Sequence, residues 1–370
     1  MKSQRKAVPW IALVALGLLP FGAAVTAGAD EAPVPVIHVT DLHRPHVDPD
    51  DHWDLACVFA LAYAGEIDLR AVVIDYPPAR LKDRNPDVAA IAQMNRITGL
   101  AVPVAAGSQH PMKSRDDVQP YASASDHQGV RTVLDVLQRA ERPVVIHITG
   151  CCRDVAVAGK KAPDLFARKC AAIYLNAGTG VSGAKLEYNV TLGTAAYAAI
   201  FDLPCPLYWM PCFEGDVPKD QPEKRGYGTH YAFRQSEILP GLSKRTQNFF
   251  LYMFDRRLDH HWLRYLEQEP DTQLLAQFSG KDRHMWCTGG FLHCAGSTVA
   301  ADGTILPRGK AKAGAVFAFE PISVTCSDEG VTTWRLDRNS ANRFIFHVRD
   351  RENYPSAVTA AMKSLLGKLP

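Results

Sequence analysis

Between residues 34 and 212 the chain repeats one rhythm: a short apolar run, a polar turn, then a stretch with helical spacing. The apolar runs are Val34 to Thr40, 67–75, 101–107, 142–150, 171–178 and 206–212. The helical stretches between them are Asp51 to Ala64, 85–99 closed by Gly99, Val130 to Arg139, Asp164 to Cys170, and 194–202. The runs lack the strict alternation of a half-exposed strand, so they suit strands covered on both faces. Strands that alternate with helices predict an α/β fold: a doubly wound, mainly parallel sheet with helices on both faces. Such sheets bind ligands beyond the carboxyl ends of their strands. After Cys212 the rhythm breaks. Residues 213–235 read as a loop or lid, with a possible linker at 214–230, and 240–278 as helical and aromatic-rich. Strand-like segments and a helix from Pro355 to Leu366 close the chain.

The end of the first apolar run carries an unusual charge. Asp41, Asp48, Asp50, Asp51 and Asp54 fall within fourteen residues, with His43, His46 and His52 among them. Clustered carboxylates repel one another unless something compensates, and a hard divalent cation such as calcium does so with oxygen ligands. The spacing is not that of an EF-hand loop. One aspartate, Asp50 or Asp51, is accounted for by capping the helix that follows; five exceed what a cap needs. The histidines read equally well as surface residues, since hard ions prefer oxygen. Two further stretches add polar groups at strand exits. Glu187 and Asn189 in "LEYN" can point the same way and hold a polyol. His127 in "DHQGV" opens a helix and can serve in proton transfer.

The first 29 residues have the make-up of a secretory signal: Lys2, Arg5 and Lys6, an apolar run from Trp10 to Val25, and Ala27-Gly28-Ala29 before Asp30. The expected mature chain, 30–370, is then a single domain in a secreted or periplasmic compartment, with no further stretch able to span a membrane. Without those three cations the 39 Asp and Glu slightly outnumber the remaining Lys and Arg, which gives no reason to expect a nucleic-acid partner. The nine cysteines lack the spacing of a zinc site and read chiefly as buried thiols.

Taken in order, these stretches resemble the inosine–uridine-preferring nucleoside hydrolase family, from about Val36 to Leu366. The acidic loop is followed by "GEIDLRAVVID", similar to the family's "PEIDLLGIT". "NRITGLAVPVAAG" precedes a polar loop, and "ITGCCRDVAVAGKKAPDLFARKCAAIYLNAG" resembles the segment that begins "TGPLTNIALAL". "EYNV" is similar to "EFNI", and "VTCSDEGVTTWRLDRN" precedes the last helix. The resemblance implies hydrolysis of the N-glycosidic bond of a ribonucleoside or related riboside, with one bound calcium. It implies Asp41 and Asp51 as metal ligands, with Asp48 and Asp54 as further candidates and the Arg153 carbonyl as a backbone ligand. Asp50 and Asp48 compete for the role of base. Glu187 and Asn189 match residues that hold ribose hydroxyls. His127 and His284 stand where a histidine assists the leaving base.

One departure stands out. The family has a His-Asp pair opening a helix near its C-terminus, and this chain has "RHMWCTGG", which sets Met285 in the place of the metal-binding Asp. Two rivals follow. One is a non-catalytic protein of the same fold that binds a nucleoside or sugar. The other is a hydrolase of a different glycoside, its pocket reshaped by the longer acidic loop. The expected partner is a small nucleoside or riboside, with homo-oligomer formation left open.

Overall fold

The computed structural model describes residues 32–370 apart from 47, 82, 184 and 311–313. The segment read as a signal, 1–29, lies outside the described residues. Eleven strands position the site: β1 Val34–Thr40, β2 Ile67–Ile74, β3 Val104–Ala106, β4 Val144–Ile148, β5 Cys170–Asn176, β6 Leu207–Met210, β7 Tyr231–Arg234, β8 Asp282–Met285, β9 Phe317–Cys326, β10 Thr332–Leu336 and β11 Arg343–Val348. Nine of them form one sheet in the order β10-β9-β11-β6-β5-β4-β1-β2-β3. The pairs from β11 through β6, β5, β4, β1 and β2 to β3 are all parallel, and β9 runs antiparallel to β11 and β10 at one edge. The strands β7 and β8 pair with each other, antiparallel, outside that sheet.

The helices that matter here are α1 Asp50–Tyr63, α2 Val88–Thr98, α3 Gln128–Arg139, α4 Arg153–Lys161, α5 Thr194–Asp202, α6 Lys244–Phe254, α7 Thr288–Cys294 and α8 Tyr354–Leu366. They cover both sheet faces. One core joins the inward side chains of α1, α2, α6, α7 and α8, among them Trp53, Phe59, Phe250, Phe291 and Met362. The other joins α3, α4 and α5 through Val133, Val155 and Tyr197. This is the doubly wound arrangement expected from the apolar runs. Local signals explain the ends of α2: the Asp87 side chain accepts from the Ala90 N–H, and Gly99 closes it in the left-handed region at φ 73°.

The strand order sets the site. From β1 the chain winds outward through β2 to β3, then returns to β4 on the other side of β1. The reversal at β1 and β4 opens a crevice at their carboxyl ends, where ligands bind in sheets of this kind. Two features differ from the sequence reading. Helix α4 occupies a stretch with no helical expectation of its own. The segment 214–230 is not a linker, since Phe213–Gly215 pairs with Thr179–Val181 and the chain runs on into β7. All nine cysteines lie among the described residues, and all are buried free thiols.

Candidate functional site

The parallel register places Thr40 beside Ile74, so Asp41 and Asp75 leave neighbouring strands together. Gly150, just beyond β4, presses against both: a Cβ there would lie 2.5 Å from Asp75 Oδ2 and 2.7 Å from the Asp41 nitrogen. Helix α1 delivers the rest. Asp50 and Asp51 form its first turn, and Asp54 lies one turn on, on the same side. Thr40 Oγ1 donates to Asp51 Oδ1 at 3.0 Å, tying the helix start to the strand end. Asp51, Asp54 and Asp75 are buried, Asp41 and Asp50 partly so, and Asp48 is exposed.

The electrostatics are those of an undercompensated acidic pocket. Burial is the first cause raising the pKa of Asp41, and it pushes Asp50, Asp51 and Asp75 well above the usual carboxylate range. Their mutual repulsion adds to it, while the Asp41 and Asp51 carboxyls also hydrogen-bond each other. Asp54 is raised to about 7, burial outweighing the influence of the neighbouring Cys287 thiol. One oxygen of Asp54 and one of Asp75 are buried with no partner among the described residues. Two cations relieve part of this. Arg283 acts on Asp50 and pairs with Asp48 at 3.5 Å, and Arg153 acts on Asp75.

Several oxyanions short of positive charge are the donor type that a hard cation compensates. Among the described residues, no group of three or more His, Cys, Asp or Glu side chains is placed so that it could hold a metal ion as it stands. Arg153 is the first residue of α4, and its guanidinium donates to the carbonyls of Ser108 and Leu192.

The floor of the crevice is built on Asn176, at the end of β5. Its Nδ2 donates to the Met210 carbonyl at 3.0 Å, and its Oδ1 accepts from the thiols of Cys212 (3.4 Å) and Cys287 (3.3 Å). Cys287 caps α7 and faces Asp54. Met285, by contrast, ends β8, pairs with Tyr231 and is fully buried in the core. The expectation that Met285 stands at the helix opening is thus corrected. Strand β8 runs on through Met285, so the helix begins later and a thiol stands at its mouth.

Glu187 and Asn189 lie on the wall between β4 and β5. The Glu187 carboxylate accepts from the N–H groups of Gly178 (2.8 Å), Asn189 (2.9 Å) and Val190 (3.4 Å). The Asn189 Nδ2 donates to the carbonyls of Thr149 (3.3 Å) and Asn176 (3.1 Å). Both residues thus knit the strand exits together, and among the described residues the Asn189 side-chain oxygen accepts no hydrogen bond. His284 is exposed and hydrogen-bonds His230, Nδ1 to Nε2, at 2.9 Å. Phe213 and Trp286, chain neighbours of Cys212 and Cys287, pack around His230. His127 is not brought to the cluster. It is buried between Gln119 and Lys161, and the charges acting on it include Lys161, Asp126 and His110.

Sequence reasoning missed Asp75, Asn176 and Cys287. Asp75 had a readable signal, a carboxylate closing an apolar run as Asp41 does. The other two depend on long-range packing.

No protein-family model matches the sequence, and no curated protein matches it. Solved structures share its fold. The effector protein XOO4466 is 16% identical with a TM-score of 0.53, over 91% of this chain and 95% of that one. A purine-preferring ribonucleoside hydrolase from Gardnerella vaginalis is 15% identical with a TM-score of 0.53, over 90% and 99%. The type III effector protein XopQ, solved with adenosine diphosphate ribose, is 15% identical with a TM-score of 0.50, over 91% and 95%. The chain has the fold of the nucleoside hydrolases. No helix of the described residues is long and apolar enough to cross a membrane.

Proposed function

We propose that residues 30–370 are one catalytic unit, a divergent secreted or periplasmic hydrolase that cleaves the N-glycosidic bond of a riboside with the help of calcium. The observation that carries this reading is the gathering of Asp41, Asp50, Asp51, Asp54 and Asp75 at the β1/β4 crevice with too little positive charge to balance them. Asp41 and Asp51 would hold the cation, with Asp48, Asp54 and the Arg153 carbonyl as the further candidates. A bound calcium ion would supply Lewis acidity, lowering the pKa of a water and fixing its direction.

The remaining work falls to the chain itself. Asp50, at the crevice and held well above the usual carboxylate range by burial and its acidic neighbours, is suited to accept the proton of the attacking water; Asp48 is the alternate base. Positive charge that develops on the sugar, as in other glycosyl transfers, meets the surrounding carboxylates. Asn189 offers its free oxygen to a sugar hydroxyl, and Glu187 fixes the wall beside it. His284, partnered by His230, donates to the leaving base.

The experiment is a panel of nucleosides incubated with the mature protein, with and without calcium, with free ribose as the readout. Calcium-dependent ribose release supports the hydrolase; no release from any member removes it. A second reading, a riboside-binding protein without catalysis, is favoured by one observation. Cys287 sets a soft thiol, not a hard oxygen, at the mouth of α7.

A further inference from the structure

The loop after β2 carries a cation that the acidic site does not neutralise. Arg80 lies in a single helical turn, Ala79–Leu81, and is exposed. Its guanidinium carbon stands 5.0 Å from the ring centroid of Tyr188. Among the described residues Arg80 makes no ion pair; its partner is the Tyr188 ring, over which the guanidinium lies. Tyr188 separates Glu187 from Asn189, is 38% exposed, and is close enough to Asp41 and Asp51 for their charge to raise its pKa, after burial. Arg80 and Tyr188 thus stand at the edge of the segment that carries Glu187 and Asn189. Arg84, in the same loop, acts on His43 at the other side of the acidic loop.

An arginine held against an aromatic ring keeps its N–H groups free at the edge of its plane. That edge matches the oxygens of a phosphate or carboxylate. A carboxylate partner from the chain would have been at hand in so acidic a crevice, yet none takes the position. A ribose bound with its ring hydroxyls on the carboxylates would turn its exocyclic carbon away from them, toward the side where Arg80 and Tyr188 stand.

We infer that Arg80 and Tyr188 form a phosphate subsite, and that the favoured ligands are ribosides phosphorylated on the exocyclic oxygen of the sugar. This rests on the riboside reading of the crevice and names the class of riboside. Stacking on Tyr188 orients the guanidinium, and the phenol hydroxyl gives a further donor to the same group.

The test compares ribose with ribose 5-phosphate by calorimetry on the mature protein in calcium-containing buffer. The wild type is expected to bind ribose 5-phosphate about ten-fold more tightly, the scale of one charge-assisted contact. The preference should shrink as ionic strength rises. Arg80→Gln should bring the ratio of the two affinities close to one, with an unchanged circular dichroism melt. Equal binding of the two sugars by the wild type overturns the phosphate subsite and leaves the riboside reading standing. A preference that survives Arg80→Gln overturns the assignment to Arg80. Failure to bind either sugar overturns both readings.

Discussion

Gly150→Ala tests whether the crevice is as tightly built as its geometry implies. The added methyl would stand 2.5 Å from Asp75 Oδ2, 2.7 Å from the Asp41 nitrogen and 2.9 Å from Asp41 Cβ. Two of those atoms belong to β1 and its exit, which is held on both sides by β2 and β4, so the neighbour cannot swing away as a flexible side chain would. Overpacking of this kind costs about 1–3 kcal/mol. The same methyl pushes on Asp75, whose Oδ2 accepts from the Cys151 N–H. Weakening that buried bond adds about 1–3 kcal/mol. The sum is about 2–6 kcal/mol, a large share of the roughly 5–15 kcal/mol that stabilises an ordinary domain. Urea unfolding followed by circular dichroism measures it, and a calcium titration on the folded variant should show weakened affinity because Asp41 has moved. A loss below about 1 kcal/mol with unchanged calcium affinity would refute the close approach of the β4 exit to Asp41 and Asp75.

Burial lowers the pKa of His38 to about 3, so between that value and its unfolded 6.5 the unfolded chain binds the extra proton. This histidine therefore removes stability as pH falls below 6.5, by about 1.4 kcal/mol per pH unit. Against His38→Leu, the wild type should lose stability more steeply by that slope between pH 6 and 4; parallel curves would refute it. Glu187→Ala removes the acceptor of three N–H groups and should cost about 1–2 kcal/mol in urea, whatever it does to ligand binding; no loss would show that the carboxylate is not a cap. All nine thiols should react with a thiol reagent only after unfolding, and rapid labelling of the native protein would contradict their burial.

The sheet was legible because burial on both faces writes itself into the sequence as unbroken apolar runs. Val34–Thr40 and Thr194–Asp202 fall where the pattern puts them. Helix α4 was not legible. It is short, starts at Cys152 with no side-chain cap, and includes Gly159, so neither its start nor its interior signals a helix. The pairing of Phe213–Gly215 with Thr179–Val181 joins segments far apart in the chain, and a Gly- and Pro-rich stretch hides it. The acidic loop announced the site, but its composition could not show which carboxylates converge. That depends on the β1/β2 register, which sets Asp75 beside Asp41, and on α1 turning Asp54 inward beneath Asp51. Nor does "RHMWCTGG" contain a strong helix-start residue before Thr288. Whether Met285 or Cys287 fronts the site therefore rests on how far β8 extends.

The most direct measurement is a calorimetric calcium titration of the mature protein beside Asp51→Asn. Asp51 is buried at the start of α1, hydrogen-bonded to Thr40 and to Asp41, and the charges of Asp41, Asp50 and Asp54 act on it. The proposed function predicts one calcium site in the wild type. The variant should lose at least about ten-fold in affinity, about 1.4 kcal/mol, because a neutral amide replaces a charged ligand. A wild type that takes up no calcium, or an Asp51→Asn protein that binds it equally well, would contradict the claim that this crevice is a cation site.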